Sequence, residues 1–331
     1  MKKLARVGID ISATELVVAL ERAGGALQES SFANDAAGHR KLIKHIGKNG
    51  CRGQVCVEAT GVYHLDLCLA LHAASHMEVM VVNPRAAKDF HRAQLQRSKT
   101  DRVDARSLLE FLRRMDFAAW EPPQREILQL RGLSRRIQAL LVNRAQEKNR
   151  LHADDAVEDT SSAIRQSIER HIAAIEEEME ILSSAATDLI QSEPQLAQRF
   201  THLTSVKGIA KASAITILAE LSVLPQDMTV RQWVAHAGID PRCSESGTSV
   251  RGQVRISKVG NRHLRRALFL PAMVASQHEP QVKAYYQQLL ERGKKPLQAL
   301  VAVMRKLLHA IYGMFKNQSD FDGEKFYAVK A

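Results

Sequence analysis

The sequence predicts a mixed α/β domain at the N-terminus followed by a largely helical chain, and three observations carry that reading. Up to residue 120, short alternating apolar runs give way to a succession of helical and strand patterns. Pro122-Pro123 then breaks the chain, and no strand pattern recurs for about 80 residues. Beyond residue 201 the pattern becomes short helices around a Gly- and Ser-rich basic stretch. With 331 residues the chain is long enough for more than one core. The expected organisation is therefore an α/β domain over 1–120, a helical linking and dimerisation segment over 121–200, and a C-terminal domain over 201–331.

The elements follow in order. Arg6–Ile11 and Glu15–Leu20 alternate as two strands joined by the turn Ser12-Ala13-Thr14, and Phe32 marks a third. Residues 37–48 show helical spacing, and Gln54–Glu58 is a buried-type strand that ends on an acid. A helix over 64–75, a strand over Met77–Val82 closed by Asn83-Pro84, and a helix over 101–115 bearing Leu108, Leu109 and Leu112 complete the first domain. In the middle segment Ile168, Ile172, Ile175, Met179, Leu182, Ala186 and Leu189 step by 4 and 3 in alternation, a heptad seam. Such a seam is either a dimerising coiled coil or one face of a helix hairpin within the chain. Near the C-terminus, Leu300, Met304, Leu307, Leu308 and Ile311 mark a core-packing helix from Pro296 to Phe315.

Composition narrows the class of function. An apolar content of 45% with 25% charged residues is ordinary for a globular protein, and no apolar run reaches the roughly 18 residues of a membrane span. Arg6 and Asp10 interrupt any signal-type apolar segment after Lys2-Lys3, so the expected location is the cytoplasm without membrane attachment. The four cysteines form no CxxC pair and are expected to be reduced and structural. The net charge of +11 is uneven: +5 over 1–120, −4 over 121–200 and +10 over 201–331. Basic ends of this kind suit a nucleic-acid partner, because neutralised phosphates release counterions.

Four acids stand out against that basic background. Asp10 lies in the first strand, Glu58 ends another, and Asp101 and Asp104 fall at i, i+3 near the start of one helix. Neighbouring strands of one sheet can bring the first two to one edge, and the helix can add the others. Carboxylates gathered in this way repel unless a hard cation neutralises them, and Mg²⁺ favours a few carboxylates plus water and phosphate oxygens. Taken singly, each acid also reads as a surface charge, with Asp101 and Asp104 favouring a helix N-terminus.

Gly8-Ile9-Asp10, Glu58-Ala-Thr-Gly-Val-Tyr63, Asn83-Pro84 and Lys99-Thr-Asp-Arg-Val-Asp-Ala-Arg106 resemble, in this order, the motifs of the DEDD insertion-sequence transposases. The resemblance runs through Trp120 and resumes at 201. It implies an RNase-H-like, RuvC-type fold for the N-terminal domain and an Mg²⁺-binding quartet of Asp10, Glu58, Asp101 and Asp104.

A second constellation lies in residues 238–266. Between 242 and 266, Arg242, Arg251, Arg255, Lys258, Arg262, Arg265 and Arg266 face a single acid, Glu245, and suit a phosphate backbone. Lys99, Arg102 and Arg106 are the corresponding candidates beside the acids. Ser246, in a loop before Gly247, is either a phosphate-contacting loop residue or a hydroxyl activated by surrounding cations. The stretch resembles the C-terminal domain of the same family, which implies that Ser246 is the catalytic serine. Ser205–Ala214 resembles a helix-hairpin-helix, but Ala210 stands where a second glycine belongs.

The function implied is a transposase or DNA recombinase of an insertion sequence. It would cleave and rejoin donor and target DNA through a serine nucleophile with Mg²⁺, guided by an element-encoded (bridge) RNA, as a homo-oligomer of dimer size or larger. Two rivals differ in what they require: a Holliday-junction-type metal-dependent endonuclease has no need of Ser246, and a non-catalytic nucleic-acid scaffold has no need of the acids.

Overall fold

The computed structural model describes residues 3–59, 61–95, 100–156, 161–242, 245–246, 250–251 and 254–328; for 245, 246, 250 and 251 it describes the backbone. The chain divides into two compact units, Met1–Pro122 and Pro123–Ala331.

The first unit is built on β1 (Leu4–Ile11), β2 (Glu15–Arg22), β3 (Gln28–Ala33), β4 (Arg52–Glu58) and β5 (Met77–Val82), in the spatial order β3-β2-β1-β4-β5. β1, β2 and β3 pair antiparallel, whereas β4 runs parallel to both β1 and β5. Parallel pairing needs a crossover, and α1 (Ala36–Ile46) and α2 (Leu65–Ala73) supply helices between those strands. Asp35 caps α1 by accepting a hydrogen bond from the Gly38 amide at 2.7 Å.

Alternation along the strands sends Val7, Ile9, Leu16, Val18, Leu20, Val55 and Val57 into a core with Leu42, Ile46, Leu67 and Leu71 of α1 and α2. Each fully buried Leu or Ile there contributes about 1.5–3 kcal/mol. On the opposite face Ala19 packs with Ala105 and Leu109, and Cys56 packs with Leu108, Phe111 and Leu112; all but Ala19 and Cys56 belong to α4 (Asp101–Arg114). Between β5 and α4 the structure adds α3 (Pro84–Ala93), where the sequence reading ended at Asn83-Pro84. That dipeptide is itself a helix start: Asn83 accepts from the Arg85 amide at 2.9 Å, and Pro84 occupies the first turn, where its missing amide costs nothing. The mixed five-stranded sheet with helices fits an RNase-H-like fold.

The second unit is mostly helical. Two long helices, α5 (Arg125–Asp154) and α6 (Ser162–Ser192), pack as an antiparallel pair laced by Arg136–Glu178 at 2.9 Å and Lys148–Glu176 at 2.9 Å. Ile172, Ile175 and Ala186 of the heptad seam are buried, and Ile168, Met179, Leu182 and Leu189 are partly so. The seam thus packs on α5 of its own chain, and the motive it gave for dimerisation falls away.

There follow α7 (Pro194–Thr204), α8 (Lys211–Leu221), α9 (Val230–Ala237), four two-residue strands, α10 (Arg262–His278), α11 (Pro280–Glu291), α12 (Pro296–Asn317) and α13 (Gly323–Phe326). Leu130 of α5 and Ile190 of α6 join one core with Leu203, Ile217, Leu218, Leu264, Leu268, Leu307 and Ile311. The hairpin between α7 and α8 turns inward, since a Cβ on Gly208 would lie 2.8 Å from the Pro271 carbonyl oxygen of α10. That glycine serves helix packing. Among the described residues no helix is long and apolar enough to cross a membrane. Cys51, Cys56 and Cys68 are free and buried, and burial pushes the Cys56 and Cys68 thiols up to about 12.

Candidate active site

Strand register and one glycine bring the four acids together. Ile9 lies opposite Val57 in the parallel β1–β4 pair, so the next residues, Asp10 and Glu58, come side by side where both strands end. Asp10 shares a sheet face with Gly8 two residues earlier. Gly8 is where α4 meets the sheet: a Cβ there would lie 2.2 Å from the Ala105 carbonyl oxygen and 2.3 Å from the Leu109 amide nitrogen. Asp101 precedes Ala105, and Asp104 precedes Leu108, by about one helical turn, so the first turn of α4 carries both toward Asp10. Thr100 fixes that turn by accepting from the Val103 amide at 3.3 Å.

The electrostatics agree with the geometry. The Asp10 carboxyl is pushed from the ordinary range up to about 6, first by burial and then by the charges of Asp104, Asp101 and Glu58, against a lowering backbone hydrogen bond at Ile11. Asp10 thus lies within electrostatic reach of the other three acids. Among the described residues, no three His, Cys, Asp or Glu side chains stand close enough to clasp one ion as placed. The donor set is nevertheless all carboxylate, which suits a hard divalent cation rather than a soft one.

Two further side chains border these acids, and the sequence reading named neither. His91 of α3 holds its Nδ1 3.6 Å from the Asp104 carboxylate. Recognising Asn83-Pro84 as a helix start would have placed it on an element facing α4. Asn34 donates to the Ser12 carbonyl at 2.8 Å and to the Tyr63 carbonyl at 3.1 Å, while its Oδ1 lies 2.8 Å from Nε2 of the buried His39. It thereby ties the β1–β2 turn to the segment after Glu58. Tyr63 and Val62 are exposed beside that tie.

The serine and most of the candidate phosphate contacts lie in the second unit, on a short basic hairpin. Its inner rung pairs β6 (Pro241–Arg242) with β9 (Arg255–Ile256), and its outer rung pairs β7 (Glu245–Ser246) with β8 (Val250–Arg251). Where the sequence suggested a loop, the backbone of Ser246 belongs to a strand rung opposite Val250. Residues 247–249 and Lys99 lie outside the described residues, as do the side chains of Ser246 and Arg251.

The basic residues sort by what holds them. Arg242, Arg255, Lys258, Arg262 and Arg266 are exposed, as is Arg102 in the first unit. Arg265 instead donates to the Ala237 carbonyl at 2.9 Å, and Arg106 is ion-paired with Glu29 of β3. These two thus also brace the fold.

Comparison with known proteins bears on both regions. Residues 7–154 match a model described as a transposase of the DEDD IS110 type, and residues 201–287 match a transposase model of the IS116/IS110/IS902 family. The chain is 27% identical over 322 residues to a pilin gene-inverting protein of Moraxella bovis, covering 96% of this chain and 97% of that protein. A pilin gene-inverting protein of Moraxella lacunata is 27% identical over 301 residues, covering 89% and 91% respectively. An uncharacterised 43.6 kDa protein of insertion element IS110 from Streptomyces coelicolor is 26% identical over 156 residues, covering 47% of this chain and 37% of that one. With two spans of one family in order along more than two thirds of its length, and relatives of matching extent, the chain belongs to the IS110/IS116/IS902 family of DEDD transposases, enzymes that recombine DNA.

Proposed function

We propose that this transposase is a serine recombinase assisted by Mg²⁺ and guided by an element-encoded RNA. The observation that carries the metal half is the convergence on Asp10: the three other acids that raise its carboxyl are Asp104, Asp101 and Glu58. Gathering these charges is unfavourable without a counter-ion, so their convergence is readily explained by a cation that the folded enzyme acquires. A bound divalent cation would neutralise charge at a reacting phosphate. Asp10, Glu58, Asp101 and Asp104 are the residues assigned to hold it, with His91 bracing Asp104.

Ser246 is assigned the nucleophile. Its hydroxyl loses a proton as its oxygen forms a phosphate ester, the bridging bond to one strand end breaks, and the released sugar oxygen takes up a proton. The ester conserves the bond energy, so the reverse attack by a new strand end rejoins the DNA without an external energy source. Arg242, Arg255, Lys258, Arg262 and Arg266, all exposed, flank that segment in sequence with positive charge suited to DNA and guide RNA backbones. Segments 1–120, 121–200 and 201–331 would serve as nuclease domain, helical connector and serine domain. Because joining donor and target requires several strand cuts, the working form is taken to be a homo-oligomer, assembled through a surface other than the 168–189 seam.

The test is a trapped intermediate. Protein purified with its copurifying RNA, Mg²⁺ and labelled donor DNA should, on denaturation, yield DNA covalently linked at Ser246, and Ser246→Ala should lose the link while retaining DNA binding. Strand cleavage with no adduct in the parent protein would favour a metal-dependent junction endonuclease instead.

A further inference from the structure

A buried carboxylate lies at the root of the basic hairpin. Glu220 sits on α8, a helix buried on all sides from Ala214 to Leu221, and is itself 0% exposed. A lone charge in such a helix is costly unless paired and hydrogen-bonded. Its Oε1 accepts from Nε of Arg135 at 2.8 Å, its Oε2 accepts from Nη2 of Arg135 at 3.2 Å, and Nε of Arg131 lies 3.4 Å from Oε2. Burial pushes this carboxyl up, but the Arg135 hydrogen bond, the Arg131 charge and the Asn261 amide outweigh it and hold it below the usual range.

The contact from Asn261 points to a role beyond charge balance. Asn261 Nδ2 donates to Glu220 Oε2 at 2.6 Å, while its Oδ1 accepts from the His263 and Leu264 amides and so caps α10. Its own amide donates to the His236 carbonyl at 2.6 Å. From there the returning limb of the hairpin is pinned residue by residue. The Lys258 amide donates to the Gly238 carbonyl at 3.1 Å, the Ser257 amide to the Asp240 carbonyl at 2.9 Å, and Ser257 Oγ to the Asp240 carboxylate at 2.5 Å. Gly260, at φ 122°, passes so close to His236 that a Cβ would meet its carbonyl oxygen at 2.2 Å. The inner rung, Arg242 opposite Arg255, continues directly from these bonds, and the rung containing Ser246 lies beyond it. His263 Nδ1 lies 2.7 Å from Gln138 Oε1, so the start of α10 also meets the α5 stripe that carries Arg131 and Arg135.

We propose that Glu220 is a positioning residue for the Ser246 hairpin, acting through Asn261: it fixes the hairpin's root against α5 and α8 so that the serine is presented in one orientation. The inference rests on Ser246 being the nucleophile. Glu220→Ala would strand two arginines and can fail to fold, so the informative change is Asn261→Ser. Serine still caps α10, but its short side chain no longer reaches Glu220.

Two measurements on the full-length protein with its copurifying RNA test the idea. In Asn261→Ser, the rate of covalent adduct formation at saturating DNA should fall at least tenfold with DNA affinity unchanged, and the amides of Ser257 and Lys258 should exchange with solvent at least tenfold faster. A parental adduct rate, or parental exchange at these amides, would overturn the positioning role. A parent protein that forms no adduct at Ser246 would instead overturn the serine reading, and the exchange measurement alone would then decide whether Glu220 anchors the hairpin.

Discussion

Gly8 of β1 lies so close beneath Ala105 of α4 that a side chain of even one carbon would have to occupy the space of the Ala105 carbonyl oxygen, 2.2 Å away. Helix α4 reaches the sheet through this gap and carries Asp101 and Asp104 with it. Gly8→Ala should therefore lift α4, destabilising the first unit by about 1–3 kcal/mol. Its recombination activity should fall by more than the lost folded fraction explains, as thermal melts beside cleavage assays would measure. Parental activity in a folded Gly8→Ala protein would show that the position of α4 does not set the site.

The raised Asp10 carboxyl, at about 6, gives a pH dependence with a definite sign. The folded state holds this proton more tightly than the unfolded chain does, so the metal-free protein loses stability as pH rises from about 4 through 6. A cation binds the ionised form, and Mg²⁺ affinity should fall about tenfold per pH unit below 6. Calorimetric titration with Mg²⁺ between pH 5 and 8 checks this, and a flat profile would remove Asp10 from the ion's ligands.

Asp10→Asn should pull stability and activity in opposite directions. Without the repelled charge the metal-free protein should be more stable at pH 7.5 by about 1 kcal/mol, a figure discounted for partial solvent screening. Recombination should be lost, and added Mg²⁺ should raise the melting temperature of the parent but not of the variant. Equal stabilisation of both would place the ion elsewhere.

Burial of the heptad seam against α5 changes what a charge there would do. Ile175→Asp should destabilise the fold of each chain by about 3 kcal/mol or more, because the carboxylate would enter a packed interface without a partner. Unchanged melting with a smaller oligomer by light scattering would put the seam between chains after all.

Arginines bonded within the fold and exposed ones should also separate. Arg266→Ala should weaken nucleic-acid binding and lower the slope of log affinity against log salt by about 1. Arg265→Ala should act on stability through its lost bond to Ala237. Equal salt slopes for the parent and Arg266→Ala would exclude a phosphate contact at Arg266.

How much was legible follows from which signals are local. The strands around Asp10 and Glu58 showed in their alternation, and α4 in its leucines, so two strand ends and one helix start were readable as the sources of the acids. Register and the Gly8 contact, which bring those sources together, join residues far apart in sequence and leave no periodic mark. Helix α3 escapes the sequence pattern for a different reason: Asn83-Pro84 closes a strand and the same pair begins a helix. The 4, 3 spacing identified the buried stripe of α6 but not its partner, since a stripe packs equally well on another chain or on its own. Glu220 was invisible, because one acid in an apolar helix gives no hint of two arginines some 85 positions earlier and an asparagine 41 later.

The parallel pairing of β1 with β4, closed over by α4, also bears on when the proposed acid site can form. A chain emerging from the ribosome presents Asp10 and then Glu58 long before Asp101 and Asp104, with the groove at Gly8 still uncovered. Contacts of such long sequence separation are slow to form, because loop-closure entropy precedes their reward. The proposed acid quartet is complete only once α4 has docked over Gly8, so a fragment that ends before Asp104 lacks it.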